Sequence, residues 1–253
     1  KSVPLNIMKI YPSLILFLSV QLTFGADLVN EQFNSLPDYF QYEYENEGDG
    51  NDLEVSVSGG VLNVISDGGA GEKSFSMSYS VNSGITPSGV LYFTALVNNS
   101  ATVSDGGTYN DDDGDEVSAN EVECGIQFSN FGGDGSISIV NTNGIKSIKY
   151  YDENEDDNDG LLDISTFDRV YLRTSYNFST SMAISSYSTD GISFTILGTE
   201  YAPNDYFNVS LYVESRGESY AQGDVYFDNY VIADDIAYDS SIPSDPDDPS
   251  ESA

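Results

Sequence analysis

Apolar and polar side chains alternate along most of the chain. Nine runs show the alternation clearly: 53–57, 75–81, 91–97, 122–128, 170–172, 182–184, 192–196, 207–213 and 225–227. Because successive side chains of a strand point to opposite faces, each run predicts a strand with one apolar and one polar face. No segment shows the spacing of an amphipathic helix convincingly.

Turn signals separate these runs. Ser58-Gly59-Gly60, Asn143-Gly144 and Asp190-Gly191 stand between alternating segments, where a tight hairpin turn requires residues that tolerate positive φ. The spacing predicts about eleven or twelve short strands. Regular strands without helices favour an all-β fold in which two antiparallel sheets pack face to face as a β-sandwich.

The start of the chain has a different pattern. Met8-Lys9 precedes an apolar run at 14–20, and the small residues Thr23 and Gly25 follow. This order is typical of a secretory signal peptide, so residues 1–25 are interpreted as upstream residues and a signal peptide, with a retained anchor as the alternative. The run is shorter and more polar than the roughly 20 apolar residues of a membrane span. We expect a secreted protein without membrane insertion after signal cleavage.

The middle and the end of the chain are also distinct. Residues 26–235 are long enough for one large sandwich domain. Residues 236–253 are rich in Pro, Ser and Asp and carry no apolar pattern, so they predict a disordered acidic tail or linker. A linker of this kind usually leads to another module, which is consistent with a downstream domain outside this sequence.

Acidic residues far outnumber basic ones. The chain has 42 Asp and Glu, 8 Lys and Arg, no His and no Trp, for a net charge of −34. Cleavage after Gly25 would remove Lys1 and Lys9, leaving 42 acids against 6 bases, or −36. The absence of His excludes the commonest catalytic base. The charge disfavours nucleic acid and anionic lipid as partners and favours cations, although it equally well serves solubility alone.

Cys124 is the single cysteine, so no internal disulfide can form. It alternates with Val122, Ile126 and Phe128. This position predicts a buried thiol that behaves as a small apolar side chain, with an exposed intermolecular disulfide as the alternative.

Three segments together resemble extracellular concanavalin A-like and laminin G-like jelly-roll domains. They are Glu31-Gln-Phe33-Asn-Ser-Leu-Pro37, the run from Tyr187 to Gly198 with its Ser-Thr-Asp-Gly turn, and Gly223-Asp-Val-Tyr-Phe227-Asp228-Asn229-Tyr-Val-Ile232. The resemblance covers residues 27–235 and implies a jelly-roll topology. Proteins with this fold include lectins, carbohydrate-binding modules, adhesion domains and some glycoside hydrolases, so the resemblance indicates a fold more than an activity.

The hydrolase branch of this superfamily uses a strand with the pattern Glu-x-Asp-x-x-Glu. Here the nearest run is Glu121-Val-Glu123-Cys-Gly-Ile126, in which the third carboxylate is replaced by an isoleucine. Glu121 and Glu123 share one strand face, but in so acidic a chain a chance pair of solvated residues is the simpler interpretation. We therefore predict no enzyme.

An acidic loop at 152–163 is the more specific candidate for chemistry. Glu155, Asp157 and Asp159 occupy alternate positions before Gly160, and Asp163 follows, which resembles a calcium-binding loop. Thr166 stands where such a loop usually ends in Glu, so a solvated hairpin loop is the alternative. The loop at 105–116 is a weaker candidate. The resemblance also implies a structural calcium held by Asp228 of the last strand with Glu31 near the first, with the ordering of a strand end or turn by Asp228 as the alternative.

Sugar binding uses aromatic rings together with polar groups that hydrogen-bond to hydroxyls. Tyr42 and Tyr44 lie in an aromatic patch, and Tyr150 and Tyr151 precede the acidic loop, so these four are the predicted carbohydrate-binding tyrosines. Tyrosine is also common on half-buried strand faces, which makes core packing the alternative for each.

Asn98, Asn177 and Asn208 begin Asn-x-Ser sequons and are predicted N-glycosylation sites. Taken together, these features predict a secreted, non-catalytic module that binds carbohydrate or a glycoprotein surface with calcium assistance. The alternatives are a structural surface or matrix protein without a small ligand and, less favoured, a glycoside hydrolase.

Overall fold

The computed structural model shows an all-β chain. It describes residues 27–37, 40–46, 53–67, 71–82, 89–103, 109–110, 116–117, 121–130, 133–142, 144–152, 162–164, 166–167, 169–201, 206–217 and 221–233. None of these residues is helical. Accordingly, the described part contains no helix of the length and apolarity that crossing a membrane would require.

The strands, numbered in chain order, are β1 Asp27–Glu31, β2 Gln41–Asn46, β3 Glu54–Ser58, β4 Val61–Asp67, β5 Gly71–Asn82, β6 Val90–Asn99, β7 Thr102–Val103, β8 Tyr109–Asn110, β9 Glu116–Val117, β10 Glu121–Asn130, β11 Gly133–Thr142, β12 Ile145–Asp152, β13 Leu162–Asp163, β14 Arg169–Asn177, β15 Met182–Ser188, β16 Thr195–Tyr201, β17 Tyr206–Gly217 and β18 Ala221–Ala233. The predicted number was too low, because eighteen strands are present in the described residues. Eleven of them have seven residues or more and match the predicted set in number. Of the seven shorter strands, only β3 lies in a run whose alternation predicted a strand, and the others are too short or too polar to show it.

These strands form two large antiparallel sheets. The nine-stranded sheet has the order β16-β15-β14-β6-β18-β4-β3, with β1 and β7 also paired to β18. The seven-stranded sheet has the order β13-β12-β11-β10-β17-β5-β2, and β8 pairs with β9 separately. The predicted two-sheet jelly-roll sandwich is confirmed.

The apolar faces of the two sheets form one core. Phe93 and Phe227 of the nine-stranded sheet, and Met77, Ile126 and Leu211 of the seven-stranded sheet, have no exposed surface. Each large apolar side chain buried in this way contributes roughly 1.5–3 kcal/mol. In most runs, the alternation that predicted the strands is thus the alternation between this core and the outer faces. The runs 182–184 and 192–196 are exceptions, because Ala183 instead of Met182 and Ile184 lies in the core, and Ile192 and Ile196 are exposed.

The predicted turns adopt the expected backbone geometry. Gly59 and Gly60 connect β3 to β4 with φ of 64° and 87°, as a two-residue hairpin turn requires. In the loop after β15, Asp190 Oδ1 accepts hydrogen bonds from the backbone N–H groups of Ile192 and Ser193, each at 2.8 Å. These bonds, with one from Ser188 Oγ, lower the pKa of Asp190 to about 2.

Cys124 lies in the core, as predicted, with no exposed surface. Its thiol faces the Ile139 carbonyl oxygen at 3.7 Å, and burial raises its pKa. Because the thiolate is the reactive form, we expect no reaction with a soluble thiol reagent at pH 8 in the native state and one equivalent after unfolding. A Ser58→Cys variant, whose added thiol is exposed, serves as the control. Equal labelling rates for the two thiols would contradict the prediction.

Candidate functional site

The outer face of the seven-stranded sheet, the face turned away from the core, is unusually polar. In β17, Val209, Leu211 and Val213 are buried in the core cluster. The alternate residues Tyr212 and Glu214 therefore point outward. The same alternation places Glu, Gln, Ser and Tyr side chains on the outer face of the neighbouring strands.

Strand register aligns these outer side chains in rows across the sheet. One row consists of Gln41, Ser78, Ser210, Gln127, Ser136 and Tyr151, taken from β2 through β5, β17, β10 and β11 to β12. Adjacent members stand on strands roughly 4.8 Å apart. Within the row, the hydroxyls of Ser78 and Ser210 are hydrogen-bonded at 2.7 Å. The face therefore presents a continuous series of groups able to bind hydroxyls.

A groove of about 260 Å³ crosses the middle of this face. We refer to it as the polar groove, and its lining residues are Glu123, Gln127, Ser136, Lys149, Tyr151, Tyr212, Glu214 and Arg216. They come from the four adjacent strands β10, β11, β12 and β17. Tyr151 is 43% exposed, so its ring is accessible on this face.

Glu123 forms the floor of the polar groove and is only 6% exposed. Its Oε1 accepts hydrogen bonds from Tyr212 OH at 2.5 Å and from Ser138 Oγ at 2.8 Å. Both bonds hold the carboxylate in one orientation. Among the described residues, Oε2 of Glu123 accepts no hydrogen bond.

Gly125 makes room for this arrangement. It lies on the outer side of β10, between Tyr212 of β17 and Ser138 of β11 in register. A Cβ at this position would come within 2.2 Å of the Ile137 carbonyl oxygen and 2.6 Å of Ser138 Cα. The absence of a side chain therefore permits the close approach of β11 that supports Ser138 beside Glu123.

Arg216 balances part of the negative charge at one end of the groove. Its Nε lies 3.3 Å from Glu72 Oε1, its Nη1 lies 3.8 Å from Glu121 Oε1, and its Nη2 donates a short hydrogen bond to Glu214. Burial opposes the charge on Arg216, but the surrounding carboxylates outweigh burial and raise its pKa. One guanidinium thus forms ion pairs with three carboxylates.

Two further groups in the groove have perturbed ionisation. Burial, followed by repulsion from Glu123, Glu72 and Glu121, raises the pKa of Glu214 despite the attraction of Arg216. Burial and the neighbouring Glu123 carboxylate raise the pKa of Tyr212 well above its usual value, so Tyr212 is a neutral hydrogen-bond donor. The groove therefore carries more negative charge than its cations balance locally.

The structure separates the four predicted tyrosines. Tyr151 lines the groove, but Tyr150 faces inward, where its ring packs so closely on Gly198 that a Cβ there would lie 2.1 Å away. Tyr42 stacks on Phe75 and donates a hydrogen bond to the Pro37 carbonyl at 2.5 Å. Tyr44 is 48% exposed on the edge strand β2. Tyr42 and Tyr150 thus pack against other residues of the protein. Stacking on a sugar stays a prediction for Tyr151 and Tyr44.

The predicted calcium ligands are distributed over three places. Glu155, Asp157 and Asp159 lie outside the described residues, and Asp163 is exposed at the end of β13. Glu31 and Asp228 lie on the paired strands β1 and β18, close to the hydrogen bond from Gln32 Nε2 to Asn229 Oδ1. The described residues contain no group of three or more acidic, His or Cys side chains suited to a metal ion. Calcium binding stays a prediction.

The three sequon asparagines occupy different surfaces. Asn98 lies in β6, and Asn177 ends β14, where its Oδ1 accepts a hydrogen bond from Ser179 N at 2.9 Å. Asn208 is on the outer face of β17 and accepts a hydrogen bond from Ser80 Oγ at 2.7 Å. A glycan at Asn208 would therefore share the outer face with the polar groove. Glycosylation itself stays a prediction.

The sequence pointed to few of the groove residues. Glu121 and Glu123 were recognised as a pair on one strand face but were interpreted as solvated, and Tyr151 was recognised as an aromatic candidate. Tyr212, Glu214 and Arg216 were missed, although their alternation with Leu211, Val213 and Ser215 shows that they share a face. What the sequence does not show is that β17 lies beside β10.

No protein-family model and no curated protein matches the chain. Solved structures do match. A CBM2 module of the evolved Dit of Lactobacillus casei BL23 phage J-1 is 11% identical, covers 83% of this chain and 96% of its own, and has a TM-score of 0.51. A Bauhinia forficata lectin in complex with GalNAc is 6% identical, with coverage of 83% and 98% and a TM-score of 0.46. The β-glucanase of Bacillus licheniformis is 12% identical, with coverage of 83% and 99% and a TM-score of 0.46.

The similarity to the phage module agrees with the jelly-roll β-sandwich fold that the sequence resemblance implied. At 11% identity it shows the fold alone.

Proposed function

We propose that the protein is a non-catalytic module that binds a glycan in the polar groove. The observation that carries the proposal is the lining itself, in which an exposed tyrosine ring, a buried carboxylate, an amide and several hydroxyls converge on one depression. Apolar ring faces and groups that fix hydroxyl orientation are what a sugar site requires. The CBM2 module with the same fold, a carbohydrate-binding module by name, makes glycans the first ligand class to test.

The groove suits a short stretch of glycan. Its volume of about 260 Å³ lies slightly below the usual range of roughly 300–1,000 Å³ for sites that enclose a drug-sized molecule. Tyr151 offers its ring to one face of a sugar, while Glu123 Oε2 and Gln127 face the hydroxyls. The serine and glutamine side chains that continue the row on one side, Ser210, Ser78 and Gln41, would let a longer chain continue across the strands.

The proposal is tested by applying the protein to an array of neutral, cationic and anionic oligosaccharides. We expect binding to at least one class, and a loss of about tenfold or more in affinity for Tyr151→Ala, because about 1.4 kcal/mol of lost stacking corresponds to tenfold. Tyr201→Ala is the matched control, since Tyr201 is 61% exposed on β16 of the other sheet. Absence of binding to every class, or an equal loss in both variants, would overturn the proposal.

A glycoside hydrolase is the second candidate, favoured by one observation. Glu123 and Glu214 stand directly opposite each other in register and both line the groove, so the groove contains two carboxyl groups. Retaining glycosidases hold two carboxyl groups about 5–5.5 Å apart, one of them protonated, and the pKa of Glu214 is raised. Against this function, the short hydrogen bond from Arg216 favours the ionised form of Glu214.

The two candidates differ in one measurement. Incubation of the protein with each glycan that it binds, followed by an assay for new reducing ends, detects hydrolysis. We expect none. If the unmodified protein releases reducing ends and Glu123→Gln does not, the protein is a hydrolase and not a non-catalytic binding module. Secretion, glycosylation and calcium assistance stay predictions from the sequence.

A further inference from the structure

The charges around the polar groove are unequal. Four carboxylates and two cationic side chains meet there, namely Glu72, Glu121, Glu123 and Glu214 with Arg216 and Lys149. Arg216 contacts Glu72, Glu121 and Glu214. Glu123, the most buried acid in the groove, forms no ion pair with a described residue.

A buried carboxylate without an ion pair is costly, because the hydroxyl groups of Tyr212 and Ser138 replace only part of its hydration. Both hydroxyls bind Oε1, and this leaves Oε2 as the carboxylate oxygen without a donor among the described residues. The nearest acid across the strands, Glu214, adds repulsion instead of compensation. Glu123 is among the carboxylates that raise the pKa of Arg216, but the ion pairs of Arg216 are with Glu72, Glu121 and Glu214, so no cation of the described residues contacts Glu123 directly.

We propose that the polar groove selects a sugar that bears a protonated amine, with the ammonium group placed at Oε2 of Glu123 and near Glu214. This inference rests on the proposed glycan-binding function and names its ligand class. An ammonium group donates hydrogen bonds and also neutralises the carboxylate, whereas a hydroxyl only donates a hydrogen bond. Anionic sugars are disfavoured by the same excess of carboxylates and by the net charge of −34.

The position of Tyr151 supports a sugar as the carrier of the amine. Its exposed ring shares the groove wall with Lys149, and Gln127 and Ser136 lie beside it in the same row. Tyr151 and Glu123 lie two strands and four residues apart in register, so a ring stacked on Tyr151 and an amine at Glu123 belong to different sugars of one chain. The amine and the ring are thus recognised by different parts of one site.

The inference is tested with three tetrasaccharides of one linkage, built from glucosamine, N-acetylglucosamine and glucose. N-acetylation removes the charge but keeps the ring, so the series separates charge from shape. We expect calorimetry at physiological salt to show at least tenfold tighter binding of the glucosamine tetrasaccharide, because a charge-assisted hydrogen bond in a desolvated site is stronger than a neutral one. In the double variant Glu123→Gln, Glu214→Gln this preference should disappear, because the glucosamine tetrasaccharide loses a charge-assisted hydrogen bond that the neutral tetrasaccharides do not form.

The control is the double variant Glu43→Gln, Glu45→Gln. It makes the same change in net charge on the same outer face, at exposed positions of the edge strand β2. It should keep the preference within about twofold, because exposed charges at that distance are screened. A cooperative urea-unfolding transition shows that the groove variant is folded.

The outcomes separate the two proposals. Equal affinity for all three tetrasaccharides, or the same loss of preference in both double variants, would overturn the amine site and leave the glycan-binding function intact. No binding of any tetrasaccharide, together with no binding on the array, would overturn the proposed function itself.

Discussion

Replacing Gly125 by alanine should destabilise the protein by about 3 kcal/mol, one of the two largest effects that we expect. The added Cβ would lie 2.2 Å from the Ile137 carbonyl oxygen and 2.6 Å from Ser138 Cα. Both are backbone atoms of a strand hydrogen-bonded on its two sides, so relief requires β11 to move away from β10. Urea unfolding at pH 7 measures the change in free energy of unfolding.

Gly89→Ala is the matched control for this substitution. Gly89 precedes β6, does not need a positive φ, and has no heavy atom within 4 Å of the place that a Cβ would occupy. An alanine there should change the free energy of unfolding by less than about 1 kcal/mol, and in the stabilising direction, because it restricts the unfolded chain. If Gly125→Ala lowered the free energy of unfolding no more than Gly89→Ala does, β11 would be able to move away from β10 without loss of stability. Since Ser138 moves with β11, we also expect Gly125→Ala to weaken glycan binding.

Replacing Arg216 by methionine should cost about 1–2 kcal/mol at pH 7. Removing one partner of a fully buried ion pair costs more, roughly 3–5 kcal/mol, but the Arg216 side chain is 34% exposed and solvent reduces the effect. The loss arises because Glu72, Glu121 and Glu214 would face one another and Glu123 without a guanidinium. Methionine keeps most of the apolar stem, so the change reports mainly on charge.

The stability lost in Arg216→Met should depend on pH, and the pKa of Glu214 determines the direction of this dependence. The folded-state pKa of Glu214 is already raised above its ordinary value, so its contribution to stability is present at low pH and is lost as the pH rises through that folded pKa. Removing Arg216 takes away the attraction that lowers this pKa and raises it further. The variant should therefore lose the most stability at neutral pH, and its deficit should shrink at pH 4, where Glu214 takes up its proton.

The comparison is made by urea unfolding of Arg216→Met and of the control Arg169→Met at pH 7 and pH 4. Arg169 is exposed on β14 of the other sheet, and its loss changes the net charge equally. We expect a change within about 0.5 kcal/mol for the control. A deficit of Arg216→Met that is the same at both pH values would mean that lost packing, not the carboxylates, causes it.

The two neighbours Tyr150 and Tyr151 show what could be predicted from local pattern. Alternation alone requires that one faces the core and the other the outside, since side chains change face at every residue. The burial of Ile148 two positions earlier assigns Tyr150 to the core side. The same argument assigns Cys124 to the core and Glu123 to the outer face. The turns were equally predictable, because Gly59 and Gly60 allow a backbone geometry that other residues disfavour.

The polar groove shows what local pattern could not provide. Tyr212 and Glu123 are 89 positions apart in sequence and share a hydrogen bond. Nothing near either residue specifies that β17 pairs with β10, or that the register sets Glu214 opposite Glu123 and Arg216 opposite Glu121. A shift of two residues in the register of β17 against β10 would keep each apolar side chain on the core face. It would nevertheless separate the residues that line the groove.

The sequence by itself therefore determined the all-β class, the face on which most strand residues lie and the positions of the hairpin turns, because these follow from a period of two and from backbone sterics. Only the tertiary structure decided which strands are neighbours, and with them the groove of Glu123, Tyr212, Glu214 and Arg216. Strand order and register depend on the packing of the whole core, whose contacts join residues far apart along the chain.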